Sequence, residues 1–333
     1  ALSDEQIIDE NRPLALEAKA HVEVQRQIDH MAYRGRLPCP TEAKFLQWIH
    51  TAFYDNVPNE YRYLERSDGT IARIVPGKFR NSKIEDVDVG HHLPPAPEDV
   101  ERFVSHFAWR YRHIGGNASQ AIIAMPCAHH RLLHVHPFVD GNGRVARLMS
   151  HAMAHQAGIA GNGLWSNSRG LARGLQDRNE YKAYLNRADT QRQGGRDGRG
   201  NLSLKALEEF AEWYLLVVRD QIRFSKAVFD FDNLKERYTK LISDVTGDRY
   251  AISLVEAVFR FGELRRGDAP LALKTSERTA RNTLSMLTRS GFLKSDTPKG
   301  PVRIAFPIDY RERFFPNLFA DAAFEPPEPD TPS

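Results

Sequence analysis

Twelve residues, His136 to Arg147 (HPFVDGNGRVAR), break an otherwise helical stretch and dictate what must be built around them. Upstream, the run from Ser119 through HHRLLHV to Val135 places apolar residues at helical spacing. Downstream, VARLMSHAMAHQAG does the same. The first helix therefore delivers a histidine, Pro137 and Phe138 fix the exit, and Asp140 follows four residues after the histidine. Gly141-Asn142-Gly143 then opens the second helix.

That arrangement has a chemistry of its own. The N–H groups at a helix start lack acceptors, and the helix dipole favours an anion there. Two glycines let a phosphate come close to the backbone. Arg144 and Arg147, three apart, project from one face, and guanidinium forks suit phosphate oxygens. Asp140 beside a polyphosphate is a natural hard ligand for Mg²⁺. His136, near neutral at physiological pH, can accept a proton from a hydroxyl nucleophile. The constellation spells nucleotide-phosphate chemistry with a base.

The rest of the chain reads as mainly α. Helices are expected over 13–31, from Thr41 to Tyr54, from Glu98 past Tyr111, at the end of SRGLARGLQDRNEYKAYLNRAD, and from Asn201 through Phe224. Between Thr70 and Pro97, β-formers alternate with breakers, which predicts a short hairpin or flap. The C-terminal part has a different character. Helix, a short element near Ala269–Lys274, a Ser-capped helix and the strand PVRIAF follow the order of a winged helix-turn-helix over 240–310. Between Arg265 and Arg303 there are nine Lys/Arg and three Asp/Glu, whereas the whole chain carries only +3. Positive charge is thus concentrated there. Arg278, Arg281 and Arg289 could meet DNA phosphates, with Thr279, Asn282 and Thr283 near base edges, or the helix could serve protein contacts. The tail over 322–333, rich in Pro and Glu, is expected to be disordered.

HPFVDGNGRVAR closely resembles the signature of the Fic family, HPFx(D/E)GN(G/K)RxxR, with every fixed position filled. PGKFR…VDVGHHLPP looks like that family's flap, and the likeness runs over roughly residues 60 to 225. The implied architecture is N-terminal helices over 1–58, a Fic-type catalytic core with a β-hairpin flap over 59–230, and the winged helix. The implied activity is transfer of AMP from ATP to a Ser, Thr or Tyr hydroxyl of a target protein. In that reading His136 is the general base and Asp140 holds Mg²⁺. Asn142 with the Gly141 and Gly143 amides cradles the α-phosphate, Arg144 neutralises the leaving group, and Arg147 orients the γ-phosphate. Lys78, Phe79, Arg80 and Ile84 of the flap would hold the target by strand pairing. Tyr181 or Tyr184 is a candidate for the base pocket. Glu23 is the candidate inhibitory glutamate, although Lys19 and Val24 depart from the family's (S/T)xxxE(G/N) pattern.

Removal of AMP from a modified protein, use of another nucleotide donor, and a DNA-binding regulator that only senses nucleotide are the alternatives. No apolar run approaches the ~18–20 residues a membrane span needs, and no signal peptide is visible. With only Cys39 and Cys127, a cytoplasmic protein able to pair as a homodimer is the expectation.

Overall fold

The computed structural model describes residues 12–66, 69–87, 92–112, 114 and 117–316. Side-chain caps and periodic apolar faces decide where its helices run. Asn117 accepts the N–H groups of Ser119 and Gln120 and starts α4 (Ala118–Val135). Asp230, Asp248 and Ser276 do the same for α9 (Phe231–Thr246), α10 (Arg249–Phe261) and α12 (Glu277–Arg289). The remaining helices are α1 (Arg12–Tyr33), α2 (Ala43–Asp55), α3 (Val100–Tyr111), α5 (Asn142–Gln156), α6 (Asn167–Arg173), α7 (Glu180–Ala188), α8 (Leu204–Val228), α11 (Ala269–Leu273) and α13 (Arg311–Phe314).

The chain divides into two units, one through Ile222 and one from Arg223 onward. In the first, α4 and α5 form the centre. Val24 and Ile28 of α1, Ile49 and Phe53 of α2, Leu132 of α4, Met149 of α5 and Phe210 and Tyr214 of α8 share one core. The N-terminal helices are thus built into the same core as the loop-bearing pair. In the second unit, α9, α10 and α12 close over Tyr238, Val255, Leu287 and Phe292. After α12 the chain turns at Gly291 into β3 (Leu293–Lys294), which pairs antiparallel with β4 (Arg303–Ile304). α9 was not among the expected helices.

The expected flap needs correcting in position. The hairpin lies earlier, with β1 (Tyr63–Glu65) antiparallel to β2 (Ile71–Arg73). Among the described residues between Thr70 and Pro97, where the hairpin was expected, β2 is followed by a 3₁₀ turn, Lys83–Glu85, and by no second strand. The segment's prolines 94, 95 and 97 cannot donate to a ladder, and Arg80 draws the segment inward. The expected tail over 322–333 lies outside the described residues. No helix of the described residues is long and apolar enough to cross a membrane, and Cys39 and Cys127 are free.

Candidate active site

His136 closes α4 with φ at +48°, a left-handed conformation that a Cβ disfavours. Three contacts hold it there. Its N–H donates to Leu132 O (3.0 Å), its carbonyl accepts Arg80 Nε (2.7 Å), and its ring Nδ1 faces Leu133 O at 3.3 Å. A carbonyl can only accept, so Nδ1 carries the proton and Nε2 keeps its lone pair. Burial, with the Arg80 charge nearby, pushes the imidazole down to about 4, so it is neutral at pH 7. Strain of this kind at a residue with a free lone pair is typical of functional positions.

Arg80 is therefore not a docking residue of the flap by its side chain. It is buried, and Nη2 donates to the carbonyls of Pro95 (2.6 Å) and Val135 (3.2 Å) while its own N–H donates to Pro137 O (2.9 Å). It clamps the peptide that presents His136. Of the other expected flap residues, Lys78 is tied to Glu85 (2.6 Å), and the Phe79 ring leans on Phe138. Ile84 is 78% exposed and remains open to a partner.

The loop after His136 is set by Asn142. Its Oδ1 accepts Phe138 N–H (2.9 Å) and its Nδ2 donates to Phe138 O (2.8 Å), so this buried amide is spent on loop shape. A direct side-chain grip on phosphate does not fit that commitment, and the Asn142 contribution falls to its backbone N–H. Gly141, at φ +81°, has no room for a β-carbon, which would meet Tyr54 Cε2 at 3.2 Å. Val145 N–H is bonded to Gly141 O, so the N–H groups before it open the helix without intrahelical acceptors.

Asp140 sits at that opening. Its Oδ2 accepts Tyr54 O–H (2.8 Å) and Arg144 Nη1 (3.1 Å). Burial would raise its pKa, but the Arg144 charge, the Gly141 N–H and Tyr54 outweigh it and hold the carboxyl ionised. A second residue of α2 joins in. His50 takes Gly77 N–H on Nδ1 (2.9 Å), so its Nε2–H donates to Asp140 O (3.2 Å), while its ring stacks on Phe138. His50 and Tyr54 were not picked out from the sequence; their i, i+4 spacing on the otherwise apolar buried face of α2 was the available signal. An ionised, 40%-exposed carboxylate whose two side-chain donors both land on Oδ2 has coordination capacity left, and fits a Mg²⁺ shared with phosphate.

The two arginines face different neighbours. Arg144 pairs through Nη2 with Glu17 of α1 (2.7 Å), and its guanidinium lies over Phe53. Glu23, the expected partner of Arg147, faces Arg26 and Gln27 of its own helix instead. The α1 carboxylate at the motif is Glu17, six residues earlier. Arg147 interacts with Tyr181. Behind it, Ser150 gives its proton to Ala146 O (2.8 Å), so His129 Nδ1–H donates to Ser150 (2.9 Å). His129 Nε2 then accepts Tyr181 O–H (2.7 Å), leaving the phenol oxygen to face Arg147. Tyr184, by contrast, stacks on Trp213 at 4.9 Å.

A cavity of about 600 Å³ joins Arg144, Arg147 and Tyr181 to Glu17, His21 and Ser168. Its wall includes neither His136 nor Asp140. A larger cavity of about 800 Å³, between α3, α4 and the start of α8, contains no residue of the loop.

Burial pushes His21 and His129 down to about 3, and His50, His130 and His136 to about 4. Below about pH 6.5 the unfolded chain protonates these rings while the folded chain keeps them neutral until about 3 to 4. Stability is therefore full above pH 6.5 and is lost as pH falls toward 4, by up to about 1.4 kcal/mol per pH unit for each ring. Calorimetry from pH 7.5 to 4.5 should show a continuous fall in Tm; a flat profile would contradict these ring environments.

Residues 40–154 match the model of the Fic/DOC family. Over 96 residues the chain is 38% identical to the Protein adenylyltransferase Fic of Aedes aegypti, covering 27% of this chain and 17% of that protein. Over 113 residues it is 34% identical to the Nematostella vectensis protein of the same name, covering 34% of this chain and 24% of that one. The match thus spans less than a quarter of either relative's length. A solved Fic-domain-containing signaling protein from Bacteroides thetaiotaomicron is a looser likeness, at TM-score 0.43 and 18% identity over 63% of this chain and 71% of that one. α4, the strained histidine after it and the glycine-opened start of α5 all fall inside the matched residues, so it is this stretch, 40–154, that is similar to a Fic/DOC-family domain.

Proposed function

We propose that this domain transfers AMP from ATP to a hydroxyl group of a target protein, releasing pyrophosphate. One observation carries the reading: a neutral His136 with an unprotonated Nε2, held in a strained conformation immediately before a helix start flanked by Asp140, Arg144 and Arg147. His136 Nε2 takes the proton of the incoming hydroxyl as its oxygen bonds to the α-phosphorus and the bond to the β-phosphate bridging oxygen breaks. The free N–H groups opening α5 receive the negative charge on the α-phosphate oxygens. Arg144 and Arg147 neutralise the departing pyrophosphate, and Tyr181 keeps Arg147 at the cavity. Asp140 would hold Mg²⁺, whose bound charge lowers the cost of bringing the phosphate oxygens together. Exposed Ile84 and the backbone beside it are the surface offered to a target. We place the reaction in a reducing compartment such as the cytoplasm.

Parallel incubation with α-labelled and γ-labelled ATP tests this: protein should acquire label from the α position alone. Label from γ would indicate a different transfer. Label from neither, with AMP released from a modified protein, would mean that the same pocket runs the reverse reaction.

Glu17 competes with phosphate for Arg144. The pair is partly solvated, so its loss should free Arg144 by about 0.2–1 kcal/mol, up to about fivefold in nucleotide affinity. Glu17→Ala is expected to raise labelling at limiting ATP, and Glu23→Gly to leave it unchanged. Equal responses of the two variants would contradict the Glu17 assignment.

A second reading concerns the C-terminal unit as a winged helix that contacts DNA. Arg278, Arg281, Asn282 and Arg289 of α12 are exposed together, which favours it; Thr283 is 4% exposed and belongs to the core rather than to a base-reading face. A duplex shift by the full chain that weakens steeply with salt would support this reading, and no shift at low salt would remove it.

A further inference from the structure

Away from the phosphate loop, three side chains from two helices converge on one point. His151 and His155 stand one turn apart on α5, so both rings project from the same face. Their Nε2 atoms lie 2.6 and 2.7 Å from a single oxygen, Oδ1 of Asp29 on α1. The three ligand atoms all lie within 4.8 Å of one another. A third element packs beside the carboxylate: a β-carbon on Gly163 would meet Asp29 Oδ2 at 2.5 Å, so glycine there is what lets the chain come this close. The His151 side chain is 3% exposed, and its Nδ1 has no hydrogen-bond partner, so the bond to Asp29 is its one hydrogen bond through the ring nitrogens. A cavity of about 320 Å³, bordered by Asp29, His30, Tyr33 and His155, opens beside the cluster.

We infer that Asp29, His151 and His155 form a binding site for a borderline divalent metal ion, zinc foremost, with water completing the coordination from the cavity. Two imidazole nitrogens and one carboxylate oxygen are a suitable donor set for such ions. Tetrahedral ligands about 2.0–2.1 Å from zinc stand about 3.3 Å apart. The two short N···O separations must therefore each open by about 0.6 to 0.7 Å. Asp29 and His155, at 25% and 12% exposure, have the freedom to do so. In the cluster of His92, His134 and Asp189, His92 Nε2 faces a backbone carbonyl, His134 O (2.7 Å). His151 and His155 instead point their Nε2 atoms at a carboxylate that is itself a ligand, and on binding metal each ring gives up its Nε2 proton or shifts it to Nδ1. Metal here would tie α1 to α5, and the site does not depend on the adenylyl-transfer reading.

The test uses the full chain with Co²⁺ and Zn²⁺ alone. Co²⁺ should give the visible absorption of a four-coordinate ion, and one equivalent of Zn²⁺ should abolish it. Asp29→Asn and His155→Gln should each weaken Zn²⁺ binding at least tenfold, while His134→Gln leaves it unchanged. Circular dichroism of each variant reports folding. If Asp29→Asn fails to fold, His155→Gln carries the comparison. No cobalt band in the wild-type chain, or a band that persists in His155→Gln or is lost in His134→Gln, would overturn the assignment.

Discussion

Replacing His136 with alanine is expected to reduce labelling from α-labelled ATP by about 10²- to 10⁴-fold, with little change in melting temperature. The separation of these effects follows from the geometry. The backbone at residue 136 is held by Leu132 O and by the Arg80 guanidinium, so the left-handed peptide survives loss of the ring. Only the weak ring contact to Leu133 O is lost structurally, whereas the proton acceptor is lost entirely. Nucleotide affinity should change little, because the phosphates are assigned to the start of α5. In the wild-type chain, the limb of the rate profile governed by His136 should fall only near pH 4, where the ring protonates. A variant that still labels protein at the wild-type rate would remove His136 from the chemistry.

Arg80→Met is expected to cost about 3–5 kcal/mol of folding stability and to reduce transfer as well. Methionine keeps most of the volume but leaves the carbonyls of Val135, His136 and Pro95 without their charged donor. Hydrogen bonds to a charged group are worth about 1.5–3 kcal/mol each, and acceptors left buried add to the loss. Denaturant unfolding measures it, and Arg80→Lys should recover only part, since an ammonium cannot reproduce the planar fork. An unchanged unfolding midpoint together with weakened target binding would return Arg80 to the docking role that the sequence suggested.

The contrast between these two residues shows what was legible in the sequence. Local spacing exposed the loop, because histidine, carboxylate, glycines and arginines lie within twelve residues and their shared geometry is set by one helix start. Residues whose roles come from other elements were not legible in the same way. Arg80 reads as one charge in a polar stretch until the fold brings it 2.7 Å from the carbonyl of His136, 56 residues away. His50 and Tyr54 reach Asp140 from α2 across 90 and 86 residues of sequence. Glu17 rather than Glu23 meets the motif because the register of α1 against α5 is set by packing of Ala20, Val24 and Ile28, and this places Glu17 at Arg144. The hairpin was misplaced for a related reason: β-formers alternating with breakers between Thr70 and Pro97 suggested pairing, but only tertiary partners decide which short segments form a ladder. The omission of α9 differs, since Leu234, Tyr238, Leu241 and Ile242 carry an ordinary helical period behind an Asp230 cap.

The most direct measurement is a crystal structure of the full chain with Mg²⁺ and a non-hydrolysable ATP analogue. The account predicts the α-phosphate within hydrogen-bond distance of the backbone N–H groups opening α5, Arg147 on the outer phosphates, and His136 Nε2 facing the α-phosphorus from the attacking side. A nucleotide seated instead in the cavity between α3, α4 and α8, or a His136 ring turned away from the phosphate, would contradict it.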